Sequence, residues 1–148
     1  MNNHLLQSFG NIDIYLFDQL LKCRFDDCKT IIDVGCGSGR NSHYFLKNGY
    51  DVFGVDQDAA AIETIRALAK QLAPETPAEH FVVAKVEDIP FKDASFDLAI
   101  CSAVLHFANS KAHFEAMLQS VWRVLKPGGF FFARLASDIG IETLVESV

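Results

Sequence analysis

Nine consecutive residues restrict this chain more than any others: Ile31-Ile-Asp-Val-Gly-Cys-Gly-Ser-Gly39. Thr30 to Val34 form a short apolar run that ends in glycines, which reads as a buried strand. Residues 40–48 read as a helix stopped by Gly49. A strand that runs through three alternating glycines into a helix needs a reason. Glycine reaches backbone angles closed to other residues, and its missing side chain lets a ligand approach the main chain. A second buried strand, Asp51-Val-Phe-Gly-Val55, then ends in an acid, Asp56. A carboxylate there can accept hydrogen bonds from both hydroxyls of a ribose. A lone glycine loop would be explained by a tight structural turn. The order strand, loop, helix, strand, acid points instead to a nucleotide site.

The rest of the chain repeats this alternation. Residues 5–22 have helical spacing, with Leu5, Phe9, Ile12, Leu16 and Leu20 on one side and Gly10 as a potential break. Asp58 can cap a helix over residues 59–72, which Pro74 and Pro77 close. Phe81-Val-Val-Ala84 and Phe96-Asp-Leu-Ala-Ile-Cys101 read as the third and fourth strands. Phe114, Leu118, Val121, Trp122 and Leu125 mark the apolar side of another helix, with Trp122 in the core. The turn Pro127-Gly-Gly129 follows, and residues 130–135 form the fifth strand. Residues 139–148 have the length of one more helix. The expected fold is a single α/β domain over residues 1–148, a doubly wound, mainly parallel Rossmann-like sheet with helices on both faces. Residues 1–29 form its helical cap, 30–135 its core and 136–148 its tail. Ligands of such sheets bind at the carboxyl ends of the strands, near the switch point.

The loop also discriminates among nucleotides. Its glycines follow G-x-G-x-G, and Arg40 stands where a dinucleotide fingerprint needs its third glycine. A phosphate loop with G-K-[ST] is absent. Asp33, at the end of the first strand and expected to face the ligand, would repel a pyrophosphate and attract an amino group or cationic centre. Composition excludes further classes. The formal charge is −6, with 19 acidic against 13 basic residues and no basic track for a nucleic-acid backbone. No apolar stretch has the length of a membrane span, and the first residues lack the pattern of a signal peptide. Cys23, Cys28, Cys36 and Cys101 form no CxxC pair. His4, His43, His80 and His113 have no metal-ligand spacing, so no metal site is expected. These features fit a cytoplasmic protein with reduced thiols.

Taken together, the motifs resemble the class I S-adenosylmethionine-dependent methyltransferases. The residues Ile31 to Gly39 resemble the first motif of that family, and Gly54-Val-Asp56 the acidic end of its second strand. Glu87-Asp-Ile-Pro-Phe91 resembles the loop after strand three. Ser95-Phe-Asp-Leu-Ala-Ile-Cys-Ser-Ala-Val-Leu-His106 resembles strand four with its loop. Leu125-Lys-Pro-Gly-Gly-Phe130 resembles the turn before strand five. Within the class the chain is most similar to small-molecule enzymes of the tellurite-resistance and ubiquinone-biosynthesis types. The resemblance implies S-adenosylmethionine as cofactor, with roles by position. Asp33 and the loop backbone at Gly35, Cys36 and Gly37 would hold the methionine part. Arg40 would meet its carboxylate, and the Cys101 carbonyl its amino group. Asp56 would hold the ribose, with Gln57 beside the adenine and Val86 and Glu87 at the adenine edge. Many relatives carry an acid just before Val86. Here Lys85 stands there and cannot accept, so either Glu87 takes the contact or it is unmade. The family sheet also ends in a hairpin of strands six and seven, whereas this chain stops after strand five, as a minimal form or a truncated one. That leaves a sheet edge open to pairing with a second copy.

Methyl transfer from a sulfonium is a direct displacement. The protein mainly aligns the acceptor and excludes water, and it needs a base only for an acceptor proton of high pKa. No catalytic constellation is therefore required, and none stands out. His106 after strand four and Tyr15 in the first helix are the candidates for the acceptor pocket, each weighed against simple packing. Cys36 reads as a small loop-filling side chain rather than a nucleophile. The expected function is methyl transfer to a small-molecule acceptor. The alternative is a cofactor-binding module without turnover. A nucleotide-dependent oxidoreductase is disfavoured by Arg40 and Asp33.

Overall fold

The computed structural model describes residues 3–135. Five strands form one sheet: β1 (Thr30–Val34), β2 (Asp51–Asp56), β3 (Phe81–Val83), β4 (Phe96–Ser102) and β5 (Leu125–Arg134). Their order is β3-β2-β1-β4-β5, and every neighbouring pair is parallel. Five α-helices accompany them: α1 (His4–Phe9), α2 (Ile14–Leu21), α3 (His43–Lys47), α4 (Ala59–Leu72) and α5 (Lys111–Val124). The expected doubly wound α/β architecture is present. The chain winds outward from β1 through β2 to β3, then returns to β4 and leaves in the opposite direction. The reversal lies between β1 and β4.

Strand periodicity sorts the core into two layers. Ile31, Val52, Leu98 and Ile100 face α3 and α4 and pack with Phe45, Leu46, Ile62, Ile65 and Phe81. Ile32, Val34, Val55, Ala99 and Cys101 face the opposite layer and pack with Met117, Val121 and Val124 of α5.

The structure corrects four local expectations. The helix expected over 5–22 is two helices, because Gly10 takes φ +60° and Asp13 caps a new start, accepting from the Tyr15 and Leu16 amides at 2.9 and 3.2 Å. The helix expected from residue 40 begins at His43, since Gly39 has φ +91° and keeps the chain in turns until then. Trp122 is not core but 68% exposed. The buried stripe of α5 is Met117, Ser120, Val121 and Val124, and Trp122 lies about 100° round the helix from Val121. Finally, Pro127-Gly-Gly129 does not precede β5 but sits within it. Leu125 pairs with Phe96 and Phe130 with Leu98, so residues 126–129 bulge between the two registers. Residues 136–148, including the helix expected over 139–148, lie outside the described residues.

Candidate functional site

At the carboxyl ends of β1, β2 and β4 lies a cavity of about 410 Å³. Gly35 contributes from the glycine loop, Asp56 and Gln57 from the end of β2, and Ala84 to Glu87 from the segment after β3. Ser102, Ala103, Val104, Phe107 and Asn109 come from the segment after β4, and His113 and Met117 from α5. This is the switch-point position, where strand ends diverge and leave a crevice.

The loop is closed by its own hydrogen bonds. The Gly35 and Cys36 amides donate to the Val55 carbonyl at 2.8 and 3.0 Å. The Gly37 amide donates to Asp56 Oδ2 at 2.9 Å, while Asp56 Oδ1 accepts from the Asp58 amide at 2.9 Å. Asp58 in turn caps α4 through the Ala60 amide. Asp56 thus joins the glycine loop to the start of α4 and still lines the cavity. With three loop amides committed inside the protein, the loop is not a phosphate cradle, which needs its N–H groups aimed at the ligand. It offers close main-chain approach instead.

Gly35 shows why the first glycine is required. It has φ +68°, and a Cβ there would lie 2.5 Å from Val104 Cγ2. Gly35→Ala is expected to destabilise the fold by about 2–3 kcal/mol, from the left-handed backbone and the overlap together. Thermal denaturation checks this. Adding Val104→Ala should restore the steric part, and an unchanged melting temperature in the single variant would contradict the loop geometry.

Of the residues singled out by sequence, Gly35, Asp56, Gln57, Val86 and Glu87 come together on the cavity wall. Cys36, Gly37 and Cys101 are not among its lining residues. The Cys36 and Cys101 thiols are buried and pushed up, Cys101 to about 12, chiefly by burial, so neither is a thiolate nucleophile. Asp33 does not face the cavity. It shares the Ile31 face of β1, is 3% exposed, and accepts from Ser42 Oγ at 2.7 Å. Burial raises its pKa to about 7, against the lowering effects of Ser42 and Arg40. Arg40 is also drawn away from the cavity. Its guanidinium donates to the Asn11 carbonyl at 3.4 Å and lies 3.8 Å from Asp13 Oδ2. His106 sits in the 3-10 turn Leu105–Phe107, its ring 4.4 Å from that of Phe107; Phe107, not His106, lines the cavity. Tyr15 is exposed, with the Arg134 guanidinium 5.0 Å from its ring centre.

Two residues escaped the sequence reading. Asp13 is buried and gathers Ser102 Oγ at 3.1 Å and Arg134 Nη1 at 2.7 Å on Oδ2, while its own amide donates to Asn41 Oδ1 at 2.8 Å. It fastens the start of α2 to the ends of β4 and β5. The signal available was an aspartate three residues after a helix-breaking glycine. His113 lines the cavity and lies 3.2 Å from Glu87 Oε1. Its only signal was its place in the first turn of a helix that follows β4. Among the described residues, no group of three or more His, Cys, Asp and Glu could hold a metal ion, and no helix is long and apolar enough to cross a membrane.

A parallel sheet reversing at β1/β4, a glycine loop with three amides turned onto the protein and an acid ending β2 define a Rossmann-like domain. Residues 32–133 match the family described as "Methyltransferase domain", and the chain belongs to that family, in its class I S-adenosylmethionine-dependent form. A malonyl-[acyl-carrier protein] O-methyltransferase of Enterobacter lignolyticus is 34% identical over 109 residues, 73% of this chain and 39% of that protein. An uncharacterized methyltransferase of Synechocystis sp. is 32% identical over 70% of this chain and 45% of its own length. This chain therefore spans less than half of the length of these curated relatives. Among solved structures, the PH0226 protein of Pyrococcus horikoshii superposes with a TM-score of 0.70 at 26% identity, over 88% of this chain and 56% of that one. A SAM-dependent methyltransferase of Methanosarcina mazei gives 0.66 at 30% identity, over 77% and 55%.

Proposed function

We propose that the cavity binds S-adenosylmethionine and that the chain directs its methyl group to a small-molecule acceptor. The observation that carries this reading is Asp56, held by the Gly37 amide on the cavity wall at the end of β2. The residues present fit such a ligand. The cavity offers carboxylates for a ribose and an exocyclic amine but no amide cradle for a phosphate, and its volume suits a nucleoside with a short extension. Asp56 would hold the ribose hydroxyls, Val86 and Glu87 the adenine edge, and Gly35 with Ser102 the approach of the methionine part. The cofactor supplies an activated methyl group. The protein's share is to orient it and to exclude water, with the exposed ring of Phe107 at the rim on the acceptor side.

Asp56→Ala is expected to weaken binding of S-adenosylmethionine and S-adenosylhomocysteine by about 1–3 kcal/mol, read by calorimetry. Unchanged affinity would remove the ribose assignment. The acidic net charge and the lack of a basic track support a small acceptor over nucleic acid. The four free cysteines, three of them buried, fit a reducing cytoplasm. Among the described residues β5 ends the sheet, and that edge fits pairing with a second copy. A cofactor-binding module without turnover is the second reading, supported by the positions of His106 and Tyr15, neither of which lines the cavity. Incubating a cell extract with labelled cofactor and the protein, followed by mass spectrometry, separates the two.

A further inference from the structure

We propose that His113 is a positioning residue that fixes Glu87 as the acceptor for the exocyclic amino group of a bound adenine, an inference that rests on the adenosyl reading above. Glu87 lies in the 3-10 turn Val86–Asp88, and His113 in the first turn of α5. His113 Nε2 is 3.2 Å from Glu87 Oε1, and both side chains are partly buried in the cavity wall. The other ring nitrogen decides the direction of that bond. His113 Nδ1 accepts from the Asn109 amide at 2.9 Å. An amide donor occupies Nδ1, so the neutral ring carries its proton on Nε2 and donates it to Glu87 Oε1. Oε2 is then the carboxylate oxygen left to accept from a ligand.

The turn carrying Glu87 is held to α5 at further points. Ser120 Oγ accepts from the Ile89 amide at 3.2 Å, and Arg123 Nη2 donates to the Ile89 carbonyl at 2.6 Å. His113, Ser120 and Arg123 are spaced seven and three apart, so one side of α5 grips the loop along its length. Lys85, also on the cavity wall, has only donors and cannot meet an amino group. The carboxyl of Glu87 stays below the ordinary range, through its own backbone amide first and then His113 and Lys85, against a raising effect of burial.

The test compares two ligands on each protein sample: S-adenosylhomocysteine and its 6-desamino analogue, with hydrogen in place of the amino group, both by calorimetry. The wild type should prefer the amino form by about tenfold. Glu87→Gln should abolish the preference, because the His113 donor turns the amide oxygen toward itself and leaves the amide NH2 facing the ligand. In Glu87→Gln with His113→Ala the amide can turn, and part of the preference should return. His113→Ala alone should reduce the preference several-fold, and His113→Gln, which can donate in the same place, should restore it. Each ratio is measured within one sample, so a partly folded variant does not distort it. A full preference retained in Glu87→Gln or in His113→Ala overturns the inference. Equal binding of both ligands by the wild type overturns it while leaving the cofactor reading intact. Binding of neither by the wild type defeats the cofactor reading itself.

Discussion

Asp13→Ala is expected to destabilise the folded chain by about 3–5 kcal/mol, the scale of breaking a buried ion pair from its enclosed side. The Asp13 side chain has no solvent exposure, whereas that of Arg134 is 45% exposed. Alanine removes the acceptor for the Tyr15 and Leu16 amides, for Ser102 and for Arg134 together. Asp13→Asn is the informative companion. It keeps a good helix cap but lacks the charge, so it should lose less. Burial raises the Asp13 pKa, but Arg134, the two amides and Ser102 outweigh that and hold it below its ordinary value. Its stabilisation is therefore complete above the ordinary carboxyl range and lost as pH falls through the lowered value. Urea denaturation of the three proteins at neutral pH checks the order. Equal midpoints for wild type and Asp13→Ala would contradict the network.

The second large effect has the opposite sign with pH. Asp33 has a folded pKa of about 7 against an ordinary 3.8, because burial disfavours its ionised form. The folded state then holds a proton that the unfolded state has released. The Asp33 contribution is most favourable below about pH 4, declines as pH rises, and levels off above about 7. Asp33→Asn keeps an acceptor for Ser42 Oγ without an ionisable group. Relative to wild type it should gain about 4 kcal/mol of stability between pH 4 and pH 8. Asp97 works the other way. Burial opposes its ionisation, but the Thr30 and Lys29 amides, Lys126 and the Thr30 hydroxyl hold its carboxyl well below the ordinary range, so its contribution fades only in acid. Denaturation midpoints of wild type and Asp33→Asn across this range test the assignment, and parallel profiles would refute it.

The parts of this molecule legible in sequence are those governed by local chemistry. Glycines 35, 37 and 39 and the acid at 56 are fixed by turn geometry and by the end of a strand, and the α4 cap at Asp58 stands where its side chain predicts. The parts that were not legible depend on phase or on distant partners. A stripe of Phe114, Leu118, Val121, Trp122 and Leu125 fits the helix almost as well as the true stripe through Met117, Val121 and Val124, and only packing on the sheet selects between them. The direction of Asp33 follows from strand parity, since it shares a face with Ile31 rather than with Val34. Glu87 and His113 meet through the docking of α5 on the loop after β3, which no spacing announces. Asp13 was hidden because the helical period runs through it.

The bond from Asp13 to Arg134 spans 121 positions of sequence. At roughly 5–20 residues per second, a translating ribosome needs on the order of 6–24 s to deliver the arginine after the aspartate. Through that interval the Asp13 carboxylate lacks its Arg134 partner, and the opening helices have no tie to the end of β5. Helices α1 and α2, made before every strand of the sheet, are thus among the last of the described elements to be fastened.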